Sequence, residues 1–274
     1  MKVAFQGEHG AYSEEAILLH FGESAEPIPC PDLKDVFDAV EQREADIGLV
    51  PVENTLEGSI VQTYTLLLES VLIVQAEVIL RVVHCLIANP GVSMSDIRSV
   101  YFHPQALGQC RSFLEKHGFK ALPTYDTAGS VKMLKDNKLR DTAAIAGKRA
   151  AEVYQMSVLA KGIETHPENY TRFLILGHDD QTPTGRDRTS IVFSIDHKPG
   201  SLFQALRSFA QRGINLTKIE SRPIIGRPWE YHFYLDFEGH REEQRMKLAL
   251  EELKNSSRFM KILGSYPRSE TPTG

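Results

Sequence analysis

The sequence predicts an α/β protein with two parts, and two features of the chain carry this prediction. Up to about residue 176, short apolar segments typical of strands alternate with segments of helical periodicity, the pattern of a layered α/β fold. After a polar stretch rich in turn-forming residues, the chain reads strand, helix, strand, strand, helix, strand, which is the βαββαβ order of ferredoxin-like domains. The 274 residues are enough for both parts.

The composition is that of a globular protein and argues against several functions. Hydrophobic residues make up 42% of the chain and charged residues 24%, and a net charge of -5 leaves no basic stripe for nucleic acid. The longest apolar runs are too short to cross a bilayer and no export signal follows Met1, so we expect no membrane partner. Cys30, Cys85 and Cys110 lack the spacing of metal ligands, and a reduced cytoplasm fits them best.

The elements of the first part are predicted from apolar spacing and from cap residues. A strand at residues 3–5 is followed by a helix that we expect Ser13 to cap. Asp32 is predicted to open a second helix, and a buried strand from Ile47 is predicted to end at Pro51. Residues 78–88 are predicted as one long strand that crosses between two lobes. Further strands are predicted at residues 100–102 and 142–146, and further helices begin at Pro104 and Gly147.

The second part is predicted to follow a polar linker with Pro and Gly punctuation. It has the size of a small domain, about 80 residues. Its strands are predicted at residues 189–195, 216–223, 231–237 and 259–263, with helices from Ser201 and Glu242. We therefore divide the chain into residues 1–178, a linker at 179–187, a second domain at 188–267 and a disordered tail at 268–274.

Polar side chains collect where predicted strands meet loops or helices. Thr171 and Arg172 directly precede the buried strand that continues from Phe173, at a strand mouth where α/β sheets bind ligands. Arginine offers a planar fork of donors to a carboxylate, and threonine offers one proton without a charge. The pair suits an anionic substrate that must lose a hydroxyl, although a surface ion pair beside a β-branched residue would leave the same pattern.

Four other junctions have the same character. Glu53, Asn54 and Thr55 follow the strand from Ile47, where they would orient a substrate hydroxyl or satisfy a turn. The glycine-bearing turn at residues 7–13 offers backbone N–H groups and a helix N-terminus to an anion, or is a plain turn. The remaining junctions, at residues 102–110 and 125–128, include His103, Gln109, Thr127 and Ala128.

The five junctions together favour chemistry by binding and orientation. The sequence offers no Ser-His-Asp arrangement, metal cluster, redox pair or nucleotide-binding loop, so we expect neither a metal nor a cofactor. Each junction has a structural explanation by itself. Five that converge on one crevice predict a site that works by orientation, electrostatics and one proton.

These segments resemble the prephenate dehydratases over nearly the whole chain. The resemblance rests on residues 5–14, 51–54, 103–110, 126–128 and 169–173, whose order and spacing all fit. The second part resembles the ACT regulatory domain of these enzymes. The match is complete at residues 220–223 and imperfect at residues 200–203.

The resemblance implies a fold, a reaction and a set of site residues. The first part would be a two-lobed catalytic domain like a type II periplasmic binding protein, with the site in its cleft. The reaction would be the decarboxylating dehydration of prephenate to phenylpyruvate, driven by aromatisation. Thr171 would hydrogen-bond or protonate the leaving hydroxyl, and Arg172 would hold a carboxylate. Glu53, Asn54 and Gln109 would orient ring substituents, and the other substrate contacts would be Ala11, Tyr12, Ser13, Thr55, His103, Thr127, Ala128 and Phe173.

For the second part the resemblance implies feedback control by L-phenylalanine. The effector would bind at the seam between two such domains. Because the family is usually dimeric or tetrameric and ferredoxin-like sheets have exposed edges, a homo-oligomer is expected. The residues assigned to the effector site are Gly200, Ser201, Leu202, Phe203, Asn215, Leu216, Glu220, Ser221, Arg222 and Pro223.

Three other functions stay open from the sequence. An arogenate dehydratase would act on the relative of prephenate that carries an amino-bearing carbon in place of the pyruvyl carbonyl. A solute-binding protein without chemistry would share the two-lobed fold. An amino-acid sensor would use the small domain and leave the five polar junctions unexplained.

Overall fold

Three sheets and eight α-helices make up the described part of the chain, which is residues 1–124 and 126–270 of a computed structural model. The end of the predicted tail, residues 271–274, lies outside it. The first elements are β1 (Lys2–Gln6), α1 (Tyr12–Phe21), β2 (Glu26–Cys30), α2 (Leu33–Glu41), β3 (Ile47–Asn54), β4 (Gly58–Ser59), α3 (Val61–Glu69), β5 (Ile73–Arg81), β6 (Cys85–Ala88), β7 (Ser99–Phe102), α4 (Pro104–His117), β8 (Lys120–Pro123), α5 (Thr127–Asp136), β9 (Thr142–Ala146), α6 (Lys148–Tyr154), β10 (Ser157–Lys161) and β11 (Tyr170–Gly177). They are followed by β12 (Asp187–Ser194), α7 (Ser201–Ala210), β13 (Leu216–Ile224), β14 (Arg227–Glu238), α8 (Gln244–Ser256) and β15 (Phe259–Pro267).

The first part of the chain folds into two lobes, each built on its own sheet. The first sheet has the order β2-β1-β3-β11-β5 with β4 beside β3, and the second has the order β10-β6-β9-β7-β8. Parallel pairs such as β1 with β2 and β7 with β9 are joined by helices, as the strand–helix alternation of the sequence predicts. The predicted α/β fold with two lobes is confirmed.

The chain crosses between the lobes twice, through residues 82–84 and 162–169. These connections are hydrogen-bonded to each other: the Val82 amide donates to the Asn169 carbonyl at 2.7 Å, and the Gly162 amide donates to the His84 carbonyl at 2.9 Å. The prediction of one continuous strand over residues 78–88 is therefore wrong. The backbone leaves one sheet at Arg81 and enters the other at Cys85, which apolar periodicity alone does not reveal.

Several predicted element ends differ from the structure, and two of them, at α1 and β3, lie at the cleft described below. Helix α1 begins at Tyr12 with Ala11 as its N-cap, so Ser13 lies inside the first turn. Strand β3 continues past Pro51 because the Pro51 carbonyl accepts from the Thr63 hydroxyl and β4 pairs with the last two residues of the strand. By contrast, Asp32 caps α2 as predicted, with a reciprocal bond from Asp35.

The second part has the antiparallel sheet order β13-β14-β12-β15, with α7 and α8 contributing to one buried core. The ferredoxin-like prediction is confirmed. Inward residues from both helices and the sheet, such as Phe193, Phe209 and Phe237, are fully buried. No helix in the described range is long and apolar enough to cross a membrane.

The ferredoxin-like part forms one compact unit with a segment of the first part, since residues Tyr64–Glu77 group with residues Leu174–Glu270. The Lys261 ammonium donates to the carbonyls of Leu67 and Leu68, each at 2.9 Å, where α3 ends. A cation at that position satisfies helix carbonyls that have no partner within the helix. The Tyr234 hydroxyl adds a bond to the Tyr64 carbonyl at 3.0 Å.

Candidate active site

A cleft of about 990 Å³ lies in the first part of the chain, with walls from both lobes and from the connection at residues 82–84. It gathers residues that are far apart in the sequence, as expected for polar junctions that converge on one crevice. The predicted site residues that line it are Ala11, Tyr12, Ser13, Asn54, His103, Gln109, Thr127, Thr171 and Phe173.

Four predicted site residues are not part of this lining. Arg172 lies between Thr171 and Phe173 on β11, and successive side chains of a strand point to opposite faces. Glu53 alternates with Asn54 on β3 in the same way and pairs in register with Ser59.

The other two have structural positions. The Thr55 hydroxyl donates to the Glu168 carbonyl at 3.0 Å and accepts from the Tyr170 amide at 2.9 Å, which joins the end of β3 to the start of β11. Ala128 is fully buried in the first turn of α5. Direct substrate contacts by Glu53, Thr55, Ala128 and Arg172 thus remain predictions.

The hydroxyl of Thr171 is oriented by Asn54. The Asn54 carbonyl oxygen accepts from the backbone amides of Leu56 at 2.9 Å and Glu57 at 3.1 Å, so the amide nitrogen must face β11. There it donates to Thr171 Oγ1 at 3.0 Å. Because the oxygen of Thr171 accepts this bond, its own hydrogen is directed to another acceptor. The residue is only 9% exposed and lies in the cleft wall, so a substrate in the cleft is one acceptor within reach of that hydrogen.

A chain of hydrogen bonds continues from Asn54 through the rest of the site. Asn54 Nδ2 also donates to Asn169 Oδ1 at 2.8 Å, and Asn169 Nδ2 donates to Gln109 Oε1 at 2.8 Å. Gln109 Oε1 lies 2.7 Å from His84 Nε2, and His84 Nδ1 lies 2.8 Å from the Tyr12 hydroxyl. The sequence-based site omits His84 and Asn169. The sequence features that could have identified them are a histidine inside an apolar run and an asparagine two residues before Thr171.

The electrostatics of the cleft come from helix ends and carboxylates. Among the described residues, the lining contains Glu8, Glu57 and Asp126 and no lysine or arginine. Helices α1, α3, α4 and α5 all begin at the cleft, and helix N-termini attract anions. Asp126 occupies the N-terminus of α5 by accepting from the Gly129 amide at 2.6 Å. The N-terminus of α1 has no side-chain cap, since its N-cap is Ala11.

The turn before α1 is held in one shape. The Gly10 amide donates to the Glu14 carboxylate at 2.7 Å, and Arg149 pairs with the same buried carboxylate at 3.1 Å. Gly10 has φ +88°, and a Cβ there would lie 2.6 Å from Cα of Ala150, so only glycine fits. Tyr12 and Ser13, the first residues of this uncapped helix, line the cleft on a turn that is fixed in place.

Burial shifts four titratable groups of the cleft towards their neutral forms. It raises the pKa of Tyr12 well above its ordinary value and lowers the pKa of His84. It also lowers the pKa of His103 and raises that of Asp126. A site that disfavours charge in this way strengthens each hydrogen bond that it offers to a charged substrate.

The predicted effector residues lie in the ferredoxin-like part. A small cavity of about 110 Å³ is lined by Ser201 and Leu202 and by aromatic residues of β14 that include Trp229. Phe203, one position further along α7, is 66% exposed and does not line it. Glu220 forms an ion pair with Arg222 on β13. These positions leave the effector assignment as a prediction.

Comparison with known proteins finds a matching family for each part of the chain. The family model described as prephenate dehydratase matches residues 3–181, and the model described as ACT domain matches residues 189–255. The chain is 43% identical to arogenate dehydratase/prephenate dehydratase 2 of Arabidopsis thaliana, over 99% of this chain and 74% of that protein.

Two solved structures are similar over 98% of this chain. The prephenate dehydratase of Arthrobacter aurescens in complex with L-Phe has a TM-score of 0.90 and 33% identity, with 90% of that chain covered. The structure of GqqA, described as a novel type of quorum quenching acylase, has a TM-score of 0.91 and 32% identity, with 98% covered.

Replacing Asn54 tests the orientation of this site. Asn54→Asp keeps the oxygen that accepts from the turn but replaces the donating NH₂ group by a second oxygen. That oxygen faces the acceptor oxygens of Asn169 and Tyr170. We therefore expect a loss of about 2 kcal/mol in the free energy of unfolding. We expect the facing acceptors on Asn169 and Tyr170 to raise the folded-state pKa of the new carboxyl more than the Leu56 and Glu57 amides lower it, so that it lies above the unfolded value. The loss should therefore be full above that pKa and shrink as the pH falls through it. Urea unfolding at pH 8 and pH 5 measures this.

Asn54→Ala is the matched control, because it removes the same bonds without a titratable group. Its loss of stability, relative to wild type, should be the same at both pH values. An Asp variant that is as stable as wild type at pH 8 would contradict the assigned direction of the Asn54 bonds.

Proposed function

Because the chain belongs to the prephenate dehydratase family, it is a carbon–oxygen lyase, and we propose that the cleft beside Thr171 converts prephenate into phenylpyruvate. The observation that carries this proposal is the orientation of Thr171 by Asn54, which presents a neutral donor to the cleft. A hydroxyl that leaves a ring needs such a donor.

In this reaction the protein has to position the substrate and provide polar groups around it. The ring carboxylate of prephenate leaves as carbon dioxide, its bonding electrons enter the ring, and the C–O bond to the ring hydroxyl breaks. The departing oxygen gains negative charge, and the Thr171 hydroxyl meets that charge with a hydrogen bond. A donor that is oriented before the reaction stabilises the transition state without reorganisation. Aromatisation of the ring supplies the driving force.

The N-terminus of α1 is the proposed holder of a substrate carboxylate. Its first amides have no side-chain cap, and the buried Glu14 fixes the turn in front of them. Main-chain donors at a helix N-terminus bind carboxylates without a lysine or arginine in the wall. Gln109, whose amide nitrogen lies 3.4 Å from Glu57, offers a further donor across the cleft.

Arogenate is the second candidate substrate, because the Arabidopsis relative is named for both activities. It differs from prephenate in a side-chain ammonium, and the cleft wall has the carboxylates of Glu8 and Glu57. The two substrates are separated by incubating purified protein with each and following the appearance of phenylpyruvate or phenylalanine. Turnover of neither substrate would refute the proposed function.

We also propose control by L-phenylalanine, in a homo-oligomer in the cytoplasm. The similar Arthrobacter structure contains L-Phe, and the matching ACT family model covers the ferredoxin-like part. Strand β13 is the last strand of its sheet, and such edges pair with other chains. The three cysteines are free thiols, which suits a reducing compartment.

Thr171→Ala should lower kcat by about two to four orders of magnitude, the usual range for losing a positioned donor. The KM should change little, because the neutral hydroxyl matters mainly in the transition state. Thr171→Ser is the control, since it keeps the hydroxyl and should keep much of the rate. Phenylpyruvate absorbance gives both constants, and wild-type turnover by the alanine variant would remove Thr171 from the mechanism.

Gly200→Val should weaken inhibition by phenylalanine. Gly200 caps α7 with φ +83°, so valine distorts the loop that leads to Ser201 and Leu202. Gly185→Val is the matched control in the linker, with φ +85° and the same open surroundings. Each strained residue costs about 1–3 kcal/mol of stability. We expect at least about tenfold more phenylalanine for half-inhibition in Gly200→Val alone, equivalent to about 1.4 kcal/mol. Equal inhibition of the two variants would exclude this loop from the effector site.

A further inference from the structure

His84 is a buried histidine for which the proposed reaction has no direct use. It is 3% exposed and lies in the connection at residues 82–84, between the two lobes. Both ring nitrogens have partners from different lobes: Nδ1 lies 2.8 Å from the Tyr12 hydroxyl of α1, and Nε2 lies 2.7 Å from Gln109 Oε1 of α4. Burial lowers the pKa of His84, which favours the neutral ring.

The direction of these bonds is set from the other end of the site. Backbone amides fix the Asn54 carbonyl, so Asn54 Nδ2 must donate to Asn169, and the atom of Asn169 that faces it is the oxygen. The Asn169 nitrogen then faces Gln109, whose facing atom must accept. His84 Nε2 contacts that same oxygen and therefore carries a hydrogen. In the neutral ring Nδ1 then accepts, and the Tyr12 hydroxyl is its donor.

Two donors thus converge on one oxygen of Gln109. With Oε1 held by His84 and Asn169, the Gln109 amide nitrogen is turned the other way, towards Glu57 and the cleft. Gln109 is 8% exposed and lines the cleft, so this nitrogen is placed to donate to a bound substrate. Without the His84 bond, Gln109 would be held only by Asn169 and by the longer contact of its nitrogen with Glu57, at 3.4 Å.

We propose that His84 is a positioning residue for the reaction: its Nε2 hydrogen holds the Gln109 carbonyl so that the Gln109 amide nitrogen faces the substrate. This proposal rests on the proposed function. The rigid ring also joins α1 of one lobe to α4 of the other, so the same residue fixes the distance between Tyr12 and Gln109 across the cleft.

Two variants separate the Nε2 donor from general polarity. The amide nitrogen of His84→Gln lies at about the position of Nε2, whereas that of His84→Asn lies near Nδ1 and does not extend to Gln109. We expect His84→Gln to keep kcat within about fivefold of wild type and His84→Asn to lose about 10–100-fold, the cost of a misplaced group near the reacting atoms. The KM should change less than kcat. Equal kcat values for the two variants would overturn the proposal.

A double-mutant cycle with Gln109→Ala separates positioning from a structural role. If His84 acts through Gln109, His84→Asn should cost less than about threefold in kcat once Gln109 is alanine. The same 10–100-fold cost in both backgrounds would show that His84 does not act through Gln109. Wild-type protein that converts neither prephenate nor arogenate would refute the proposed function, whereas an active wild type with an additive cycle refutes only the role of His84.

Discussion

The hydrogen bonds of Asn54 are the constraint on which the rest of the site depends. Its carbonyl is held by the turn after β3, and its amide is thereby aimed at the first residues of β11. That single direction decides which atom of Asn169 accepts, which atom of Gln109 accepts and that the Thr171 oxygen accepts from Asn54. Backbone amides cannot be inverted, so a chain of side chains that are individually free to flip acquires one orientation.

A site built from amides and helix ends suits a substrate that carries its own charges. The described wall has the carboxylates of Glu8, Glu57 and Asp126 but no lysine or arginine. Burial raises the pKa of Tyr12 and lowers that of His84, which favours the neutral form of both. Fixed dipoles in such surroundings favour an anion without forming a permanent ion pair with it. This matches a reaction in which the substrate loses carbon dioxide and hydroxide and the protein supplies position.

The parts of this site that the sequence reveals are those at the ends of regular elements. Thr171, Asn54 and the turn before α1 follow or precede apolar runs whose period places them at a sheet edge. The sequence also predicts that the Arg172 side chain lies on the opposite face of its strand from Thr171 and Phe173, because it alternates with them. The role of His84 could not be predicted, since a histidine within an apolar run is typical of a core and its two partners lie 72 and 25 residues away.

The division of the chain shows a second limit. Periodicity predicts both folds and the linker between them, but not that Tyr64–Glu77 would group with the ferredoxin-like part. Within that unit Lys261 meets the carbonyls at the end of α3, a contact between residues almost two hundred positions apart. A lysine that bonds to main-chain carbonyls leaves no pattern in the local sequence from which the contact could be predicted.

The most direct measurement is a crystal structure of the full-length chain with a saturated-ring analogue of prephenate that keeps both carboxylates and the ring hydroxyl. It shows whether the Thr171 hydrogen meets the leaving oxygen. We expect the analogue hydroxyl within about 3 Å of Thr171 Oγ1, the distance of an O–H···O bond. We also expect a carboxylate at the first amides of α1. An analogue whose hydroxyl faces the opposite wall of the cleft, with Thr171 bonded to Asn54 alone, would contradict this expectation.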